Sequence, residues 1–391
     1  MGFCASAADG NLFILRHHSF IVYLLLYVDD IIITGNCSSF VSTIITLLGR
    51  EFDLKDLGLL HYFLGLQIDY TSSGLFVHQS KYASDLLKKF GMTDCKPCTT
   101  PCSPNHHLLP HDSTLLSDPK SYRSLVGALQ YLTFTRPDLS FAVQQACQHM
   151  STPTQNHLQA AKRILRYLQG SLHFGIAFTP GPISLSAYSD ADWAGDPVDR
   201  RSITGMVVFF GNSPITWSAK KQCTVSRSST EAEYRALAST TAELYWLRML
   251  LRDFGIFLPQ PPILWCDNVS ALAIASNPVF HARTKHIEVD YHFVREKVLK
   301  HDLLIKFISI HDQLVDLFTK GLSSPQFNWL TSKLMWKFPI HLRGDDSANL
   351  ESNIEEEEAT IPTASSQSKT VSCSEMAKHK THLKSNGVVS H

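Results

Sequence analysis

Residues 24–35 read LLLYVDDIIITG, and in this stretch two adjacent aspartates, Asp29 and Asp30, interrupt a long apolar run. The flanking residues 20–28 and 31–34 are rich in β-branched and aromatic side chains, which is typical of strands that are covered on both faces. The pattern therefore predicts two strands joined by a tight turn at Asp29-Asp30. Because carboxylates are costly to bury, these two either occupy a turn or bind divalent ions that align a nucleotide with a primer end.

The composition of the chain limits the classes of protein to which it can belong. It has 391 residues, enough for two or three domains, and 44% of them are hydrophobic, so most of the chain can bury a core. Lys and Arg together number 35, as do Asp and Glu, which excludes a protein that holds nucleic acid by bulk positive charge alone. Nine unevenly spaced cysteines argue against a secreted disulfide scaffold. No apolar run approaches the roughly 20 residues of a membrane span, so we expect no membrane partner.

The first half of the chain is predicted to contain a strand-rich domain, residues 1–78, followed by a helical region, residues 79–178. The strand-rich domain would combine the hairpin at the aspartate pair with a helix over 38–52 and a second hairpin over 62–78. A Pro-rich linker, residues 96–119, interrupts the helical region. Helices of that region are expected at 80–90, 122–133, 139–149 and 156–169.

A second linker, Thr179-Pro180-Gly181-Pro182, opens a different unit, residues 181–343. Three consecutive strands followed by alternating helices and strands predict an α/β domain with a mixed sheet. The strands are expected at 184–190, 205–210, 215–219, 263–267 and 303–308, and the main helices at 229–254 and 313–320. Residues 344–391 are acidic and then rich in Ser and Thr, so we expect them to form a disordered tail.

Several acidic residues of this unit stand where a strand ends. Asp190 and Asp192 close the first strand, and their spacing places both on one face of an extended chain, so the pattern alone does not separate a ligand from a solvated acid. Asp267 follows the apolar strand Ile263–Cys266. Ligand sites gather at strand ends in α/β sheets, which favours a functional role for Asp267 over the alternative of a helix cap.

The long helix carries two acids, Glu231 and Glu233, that periodicity separates. Ser228-Ser229-Thr230-Glu231 fits a capping box, which gives Glu231 a structural role. Glu233 falls at the edge of the apolar stripe of the helix and is therefore held near the sheet, where a metal-binding carboxylate must be. Further along the chain, helical periodicity does not distinguish Asp312 from Asp316.

Basic residues of this unit are candidates for contacts with phosphate and sugar groups. They are Lys220, Lys221 and Arg227, and His286 is a further candidate for a substrate contact. Ordinary surface charge explains the three basic residues equally well. For His286 the alternatives are a solvated helix start and a metal site.

These motifs resemble copia-type (Ty1/copia) retrotransposon Pol polyproteins, in which a reverse transcriptase is followed by an RNase H domain. The resemblance covers residues 1–343 and rests on motifs in family order: LLLYVDDIIITG at 24–35, DLG at 56–58, YFLG at 62–65, YRSLVG at 122–127, TRPD at 135–138 and YSDADWAG at 188–195. It implies a partial reverse transcriptase palm at 1–78, a helical thumb and connection at 79–178, and an RNase H-like mixed sheet with helices at 181–343.

The resemblance also implies which acids act. In the RNase H-like domain it selects four acids, Asp190, Glu233, Asp267 and Asp316, as ligands of two Mg²⁺ or Mn²⁺ ions. Two such ions about 3.5–4 Å apart would cleave the phosphodiester in line, and the substrate would be the RNA strand of an RNA–DNA hybrid. Asp29 and Asp30 would bind metal in a polymerase site. The family carries its fingers and a further catalytic Asp upstream of the YVDD motif, so we expect the polymerase domain to be incomplete here.

The leading hypothesis is divalent-metal-dependent endonucleolytic cleavage of RNA in RNA–DNA hybrids. One alternative is RNA-directed DNA synthesis on a single-stranded RNA or DNA template, with missing parts supplied upstream or in trans. The other is a catalytically inactive nucleic-acid-binding remnant. The presence of all four RNase H carboxylates favours an enzyme over the remnant.

Overall fold

The computed structural model describes residues 2–104, 108–110, 113–276 and 288–337, together with the backbone of Gln367–Cys373. These residues form two compact units. Unit 1 contains residues 2–64, 249–256 and 367–373, and unit 2 contains residues 65–248 and 257–337. No helix of the described chain combines the length and apolar character needed to cross a membrane.

Unit 1 is built on an antiparallel sheet. Its strands are β1 (Cys4–Ala5), β2 (Leu12–His17), β3 (Phe20–Tyr27), β4 (Asp30–Gly35), β5 (Leu54–Leu59) and β16 (Gln367–Cys373), and a short strand, β6 (Tyr62–Phe63), follows β5 in the chain. The order across the sheet is β1-β2-β3-β4-β16-β5. Helix α1 (Ser38–Glu51) connects β4 to β5, and Val22, Ile33 and Ile44 belong to the core between sheet and helix.

The hairpin predicted at the aspartate pair is confirmed. Strands β3 and β4 pair up to Tyr27 and Asp30, which leaves Val28 and Asp29 as a two-residue turn. Val28 has a φ of 51°, which is unfavourable for a β-branched residue, and it is 72% exposed. The carboxylates of Asp29 and Asp30 therefore belong to an exposed, strained tip rather than to the apolar body of the sheet.

A strand from the C-terminal tail lies between β4 and β5. Strand β16 pairs antiparallel with β4, from Gln367 opposite Gly35 to Ser372 opposite Asp30, and it also pairs antiparallel with β5. Strands β4 and β5 are therefore parallel to each other, and β16 fills the place of one strand between them. The expectation of a disordered tail is wrong for residues 367–373. The reason is that two open strand edges offer backbone hydrogen bonds, which composition does not register.

Replacing Thr370 by proline tests this pairing, because proline has no N–H to donate and is not accommodated in a central strand. We expect the amide hydrogens of β4 and β5 to exchange faster in Thr370→Pro than in the unaltered chain, as measured by hydrogen-exchange mass spectrometry. Thr370→Val keeps the N–H and is the matched control, with exchange like that of the unaltered chain. Equal protection of β4 in the two variants would show that β16 does not cover this edge in solution.

Unit 2 begins with helices packed on a small sheet. Its strands are β7 (Leu66–Thr71), β8 (Gly74–His78), β9 (Phe174–Phe178) and β15 (Trp336–Lys337), and its helices are α2 (Ser80–Lys89), α3 (Pro119–Leu132), α4 (Ser140–Cys147) and α5 (Gln155–Gln169). Strand β8 pairs with β7 on one side and with β9 on the other. The hairpin β7–β8 therefore belongs with the helical region, whereas the sequence predicted it in the domain 1–78. The pairing of β8 with β9 decides this placement. Strand β9 follows β8 only after four α-helices in the chain, so local sequence patterns do not identify it as the partner.

The TRPD motif at 135–138 has a structural role in this region. Arg136 and Asp138 form a buried bidentate pair, in which Nη2 is 2.7 Å from Oδ2 and Nε is 2.9 Å from Oδ1. The hydroxyl of Tyr167 donates to the same carboxylate, and the guanidinium donates to the carbonyl and hydroxyl oxygens of Ser171. Buried charges require such complete pairing, so the motif fixes the turn before α4 against the end of α5.

The rest of unit 2 is the α/β domain that the sequence predicts. Its strands are β10 (Leu185–Asp192), β11 (Ile203–Phe210), β12 (Ser213–Lys221), β13 (Ile263–Cys266) and β14 (Leu304–Phe307), and its helices are α6 (Ser229–Asp253), α7 (Val269–Ser276), α8 (Glu288–Leu299), α9 (Asp316–Thr319) and α10 (Ser324–Leu334). The strand order is β12-β11-β10-β13-β14, with the first three strands antiparallel and β10, β13 and β14 parallel. This order confirms the RNase H-like mixed sheet.

Candidate active site

The ends of β10 and β13 bring two aspartates together. These strands pair in parallel, with Tyr188 opposite Trp265, so Asp190 and Asp267, two residues further on, stand at the same level of the sheet. Asp190 is 2% exposed, and Gly205 on β11 lies opposite it. Burial raises the pKa of Asp267, and the Asp190 carboxylate raises it further.

Glu233, near the start of α6, faces these two aspartates. Its side chain is 7% exposed, and its pKa is raised first by burial and then by the carboxylates of Asp190 and Asp267. Within the described ranges, Glu233 Oε2 has no hydrogen-bond partner, and neither has Asp267 Oδ1. Ligand atoms of Glu233, Cys266 and Asp267 lie within 4.8 Å of one another, and the described residues contain no other such group of three or more acids, histidines or cysteines. Buried oxygens without partners are the feature that a bound cation would satisfy.

Helix α9 and the residue after it complete the cluster. Asp316 is 2% exposed, and burial raises its pKa to about 6 although Lys320 opposes the shift. Lys320 Nζ lies 2.6 Å from Asp316 Oδ1 and 3.5 Å from Asp190 Oδ2. The Thr319 hydroxyl donates a hydrogen bond to Asp190 Oδ2. Helix α9 and the residue after it thus place the Asp316 carboxylate, the Thr319 hydroxyl and the Lys320 ammonium group next to one another beside β10.

Sequence reasoning did not identify Thr319 and Lys320. The available signal was the four-residue spacing between Asp316 and Lys320, which is the spacing of a helical ion pair. That spacing is common on solvated helix faces, so it does not by itself point to a buried site.

The helix predicted over 313–320 is shorter in the structure, where Asp316–Thr319 follows a 3₁₀ turn at Ile310–Asp312. Gln313 explains the difference, because its side-chain amide donates to the backbone carbonyl of Ser189 on β10. This buried bond holds the segment against the sheet before the helix can begin.

The structure separates the aspartates that the sequence left ambiguous. Asp192 accepts a hydrogen bond from a backbone N–H of β11, and burial raises its pKa to about 7. Asp190 is the member of the pair that contacts both Thr319 and Lys320. Asp312 is exposed and hydrogen-bonds Ser309, whereas Asp316 is buried in the cluster.

Glu231 has the capping role that the sequence predicts. Its N–H donates to Ser228 Oγ, and its carboxylate accepts from the N–H of Arg227. The other carboxylate oxygen lies 2.9 Å from Nη2 of Arg235. Both oxygens of Glu231 therefore have protein partners, whereas Oε2 of Glu233 has none among the described residues.

The basic residues predicted to contact substrate differ in their surroundings. Lys221 Nζ lies 2.5 Å from Asp196 Oδ2 and 2.8 Å from Asp199 Oδ2. These ion pairs already neutralise its charge, which is not the environment expected for a phosphate contact. Lys220 and Arg227 are exposed.

Asp29 and Asp30 belong to the hairpin tip of unit 1. No further acid, histidine or cysteine of the described residues joins them in a metal-binding group. His286 lies outside the described residues.

The strand order and the acidic cluster together define an RNase H-like domain. A family model described as "Reverse transcriptase (RNA-dependent DNA polymerase)" matches residues 1–104. The chain is 49% identical to the Retrovirus-related Pol polyprotein from transposon RE1 of Arabidopsis thaliana, over 85% of this chain and 23% of that protein. It is 36% identical to the Retrovirus-related Pol polyprotein from transposon TNT 1-94 of Nicotiana tabacum, over 78% of this chain and 24% of that protein.

The chain is a homologue of copia-type retrotransposon Pol polyproteins, which confirms the resemblance of its motifs. It spans about a quarter of the length of these relatives. Among solved structures, LC11-RNase H1 in complex with an RNA/DNA hybrid is similar over 35% of this chain and 94% of that chain, with 13% identity and a TM-score of 0.27. The fold assignment rests on the strand order of the sheet and not on this similarity.

The buried carboxylates make the stability of the metal-free protein depend on pH. The pKa values of Asp192, Glu233 and Asp316 are raised in the folded chain, above unfolded values of about 4, so folding favours their protonated forms. Their stabilising contribution is present below about pH 4 and is lost as the pH rises through the folded pKa values, which are about 6 for Asp316, about 7 for Asp192 and about 10 for Glu233. We expect the unfolding midpoint in EDTA to fall between about pH 5 and pH 7.5.

Glu233→Gln should reduce this fall, because it removes one of the carboxylates that ionise unfavourably. Glu243→Gln is the matched control, since Glu243 lies on the same helix and hydrogen-bonds Thr216. Circular dichroism melts across the pH range measure both effects. The same pH dependence in the two variants would contradict the assignment of the effect to the cluster.

Gly205 allows α9 to lie directly on β11. A Cβ at this position would stand 2.5 Å from Val315 Cγ1 and 2.8 Å from Thr319 Cγ2, so Gly205→Ala must displace α9. We expect a loss of about 1–3 kcal/mol in the free energy of unfolding, measured with urea. Gly127→Ala is the control, because its Cβ would meet nothing within 4 Å and alanine favours a helix. Equal stability of the two variants would show that the contact is not tight in solution.

Proposed function

We propose that the chain hydrolyses the RNA strand of RNA–DNA hybrids in a divalent-metal-dependent reaction. The observation that carries this proposal is the convergence of four acids, each from a different element of one domain, with two buried oxygens left without partners. The acids are Asp190, Glu233, Asp267 and Asp316. Uncompensated buried carboxylates are costly, so a fold that gathers them calls for a cation at this place.

The donor set fits a hard divalent cation. The four acids offer oxygen ligands, which Mg²⁺ and Mn²⁺ prefer. Cys266 adjoins Glu233 and Asp267, but a thiol suits softer metals. When bound, such an ion supplies activation of water and neutralises charge on the phosphate. Glu233 and Asp267 would hold it, with Asp190 next to them.

Residues of the chain have distinct tasks in this proposal. Asp190 links α9 to Glu233 and Asp267, because it accepts a hydrogen bond from Thr319 and interacts electrostatically with the two acids. Thr319 fixes the orientation of the Asp190 carboxylate through its hydrogen bond. Exposed Lys220 and Arg227 would contact phosphates of the bound strand.

The choice of an RNA–DNA hybrid as substrate follows from the chemistry of the neighbouring domain. Residues 1–104 match a family described as an RNA-dependent DNA polymerase, and RNA-directed DNA synthesis leaves its template paired with the new DNA strand. Within such a hybrid, 2′-hydroxyl groups distinguish the RNA strand from the DNA strand.

Glu233→Gln and Asp267→Asn are expected to lower cleavage of the labelled RNA strand by about a hundredfold or more, because each removes an ion-binding oxygen. Glu231→Gln is the matched control on the same helix. It should retain cleavage and lose only about 1 kcal/mol of stability through its weakened cap. Equal loss of cleavage in folded Glu231→Gln and Glu233→Gln would count against this site.

A second candidate function is RNA-directed DNA synthesis. The family match of residues 1–104 and the exposed Asp29-Asp30 turn, with its strained Val28, favour it. Extension of a primer on an RNA or DNA template by the purified chain, lost in Asp29→Asn, would support polymerase function. A chain that binds hybrid but neither cuts nor extends it would instead be a non-catalytic nucleic-acid-binding protein.

A further inference from the structure

Lys320 places a positive charge inside the acidic cluster. Its Nζ lies 2.6 Å from Asp316 Oδ1 and 3.5 Å from Asp190 Oδ2, and both carboxylate side chains are 3% exposed. The lysine side chain is 40% exposed, so its ammonium group extends from solvent to two buried acids. The same turn of chain supplies Thr319, whose hydroxyl donates to Asp190.

The cluster therefore has two halves with different charge balance. In the half formed by Asp190 and Asp316, one ammonium group already contacts both carboxylates. In the half formed by Glu233 and Asp267, ligand atoms lie within 4.8 Å of each other, and each residue keeps one buried oxygen without a partner. Among the described residues, this second half forms no ion pair with a lysine or an arginine, unlike the first.

A divalent ion that bridged Asp190 and Asp316 would compete with Lys320. It would bind, at about 2.1 Å, oxygen atoms that already contact the ammonium group. Two cations that share the same oxygens repel each other, and the repulsion is strong where burial lowers the effective dielectric constant. An ion held by Glu233 and Asp267 has no such competitor in the described part of the chain, where no ammonium group forms an ion pair with either residue.

We propose that Lys320 supplies the charge of one of the two cations expected at this site. The chain then binds one divalent ion tightly on the Glu233–Asp267 side and a second ion about tenfold more weakly or worse. The inference rests on the proposed function, because it concerns the same carboxylates. Lys320 acts as a positioning residue that holds Asp190 and Asp316 and balances their charge.

The test counts ions on the full chain with Mn²⁺, using the electron paramagnetic resonance signal of free Mn²⁺, and does not depend on cleavage. The unaltered chain should show one tight ion and a second that binds at least about tenfold more weakly. Lys320→Gln removes the competing charge and should bring the two affinities to within about threefold of each other. Lys320→Arg keeps the charge and should resemble the unaltered chain.

Two controls locate the effect. Lys333→Gln removes a lysine that pairs with exposed Asp312 at 3.4 Å, and it should leave both affinities unchanged. Glu233→Gln should remove the tight ion, which identifies that ion as the one bound in the cluster.

Two equally tight ions on the unaltered chain, or the same two affinities in the unaltered chain and folded Lys320→Gln, would overturn the proposal. If Lys320→Gln does not fold, the unaltered chain and Lys320→Arg decide: a single tight ion in both supports the proposal, and two tight ions overturn it. Hybrid cleavage measured in parallel separates the two claims. One tight ion without cleavage overturns the proposed function alone, and cleavage with two equal ions overturns the role of Lys320 alone.

Discussion

The contact between α9 and β11 at Gly205 is the constraint on which the acidic cluster depends. Gly205 lies opposite Asp190 in the sheet, and its missing side chain is the space into which Val315 and Thr319 fit. Val315 is fully buried there, so the helix is held by packing. This packing holds the Thr319 hydroxyl and the Lys320 ammonium group beside Asp190. The paired strands alone would place only Asp190 and Asp267 together. Because Gly205 has no side chain, α9 can approach the sheet and add Asp316 to them.

That closeness has an electrostatic cost, which is also the source of affinity for a cation. Burial and mutual repulsion raise the pKa values of Glu233, Asp267 and Asp316, so their charged forms destabilise the metal-free fold. Any cation that binds the folded chain and not the unfolded chain recovers this free energy by linkage. Lys320 recovers part of it permanently for Asp190 and Asp316. The negative charge that is not balanced lies at Glu233 and Asp267, each of which has one buried oxygen without a partner among the described residues.

Local sequence patterns predicted those features of the fold and of the cluster that depend on a single helix or a single strand. Helical periodicity separated Glu231 from Glu233, and the end of an apolar strand identified Asp267, because each depends only on a regular repeat or a boundary. Tertiary contacts decided the rest. Residues 367–373 form a strand because two remote edges are open to them, and Lys320 became part of the cluster because α9 packs against the sheet. Neither cause is present in the composition of the segment itself.

The two groups of acids differ in how far the fold prepares them for an ion. Asp29 and Asp30 lie at an exposed turn, and no further acid, histidine or cysteine of the described residues stands with them as a ligand group. An ion there would have to be held mainly by ligands brought with it, because solvated carboxylates gain little from exchanging water for a cation. Glu233 Oε2 and Asp267 Oδ1 have already lost their water on folding, and ligand atoms of the two residues lie within 4.8 Å of each other. Since that desolvation occurs before the ion arrives, the buried cluster is the place where this chain by itself should first bind a divalent ion.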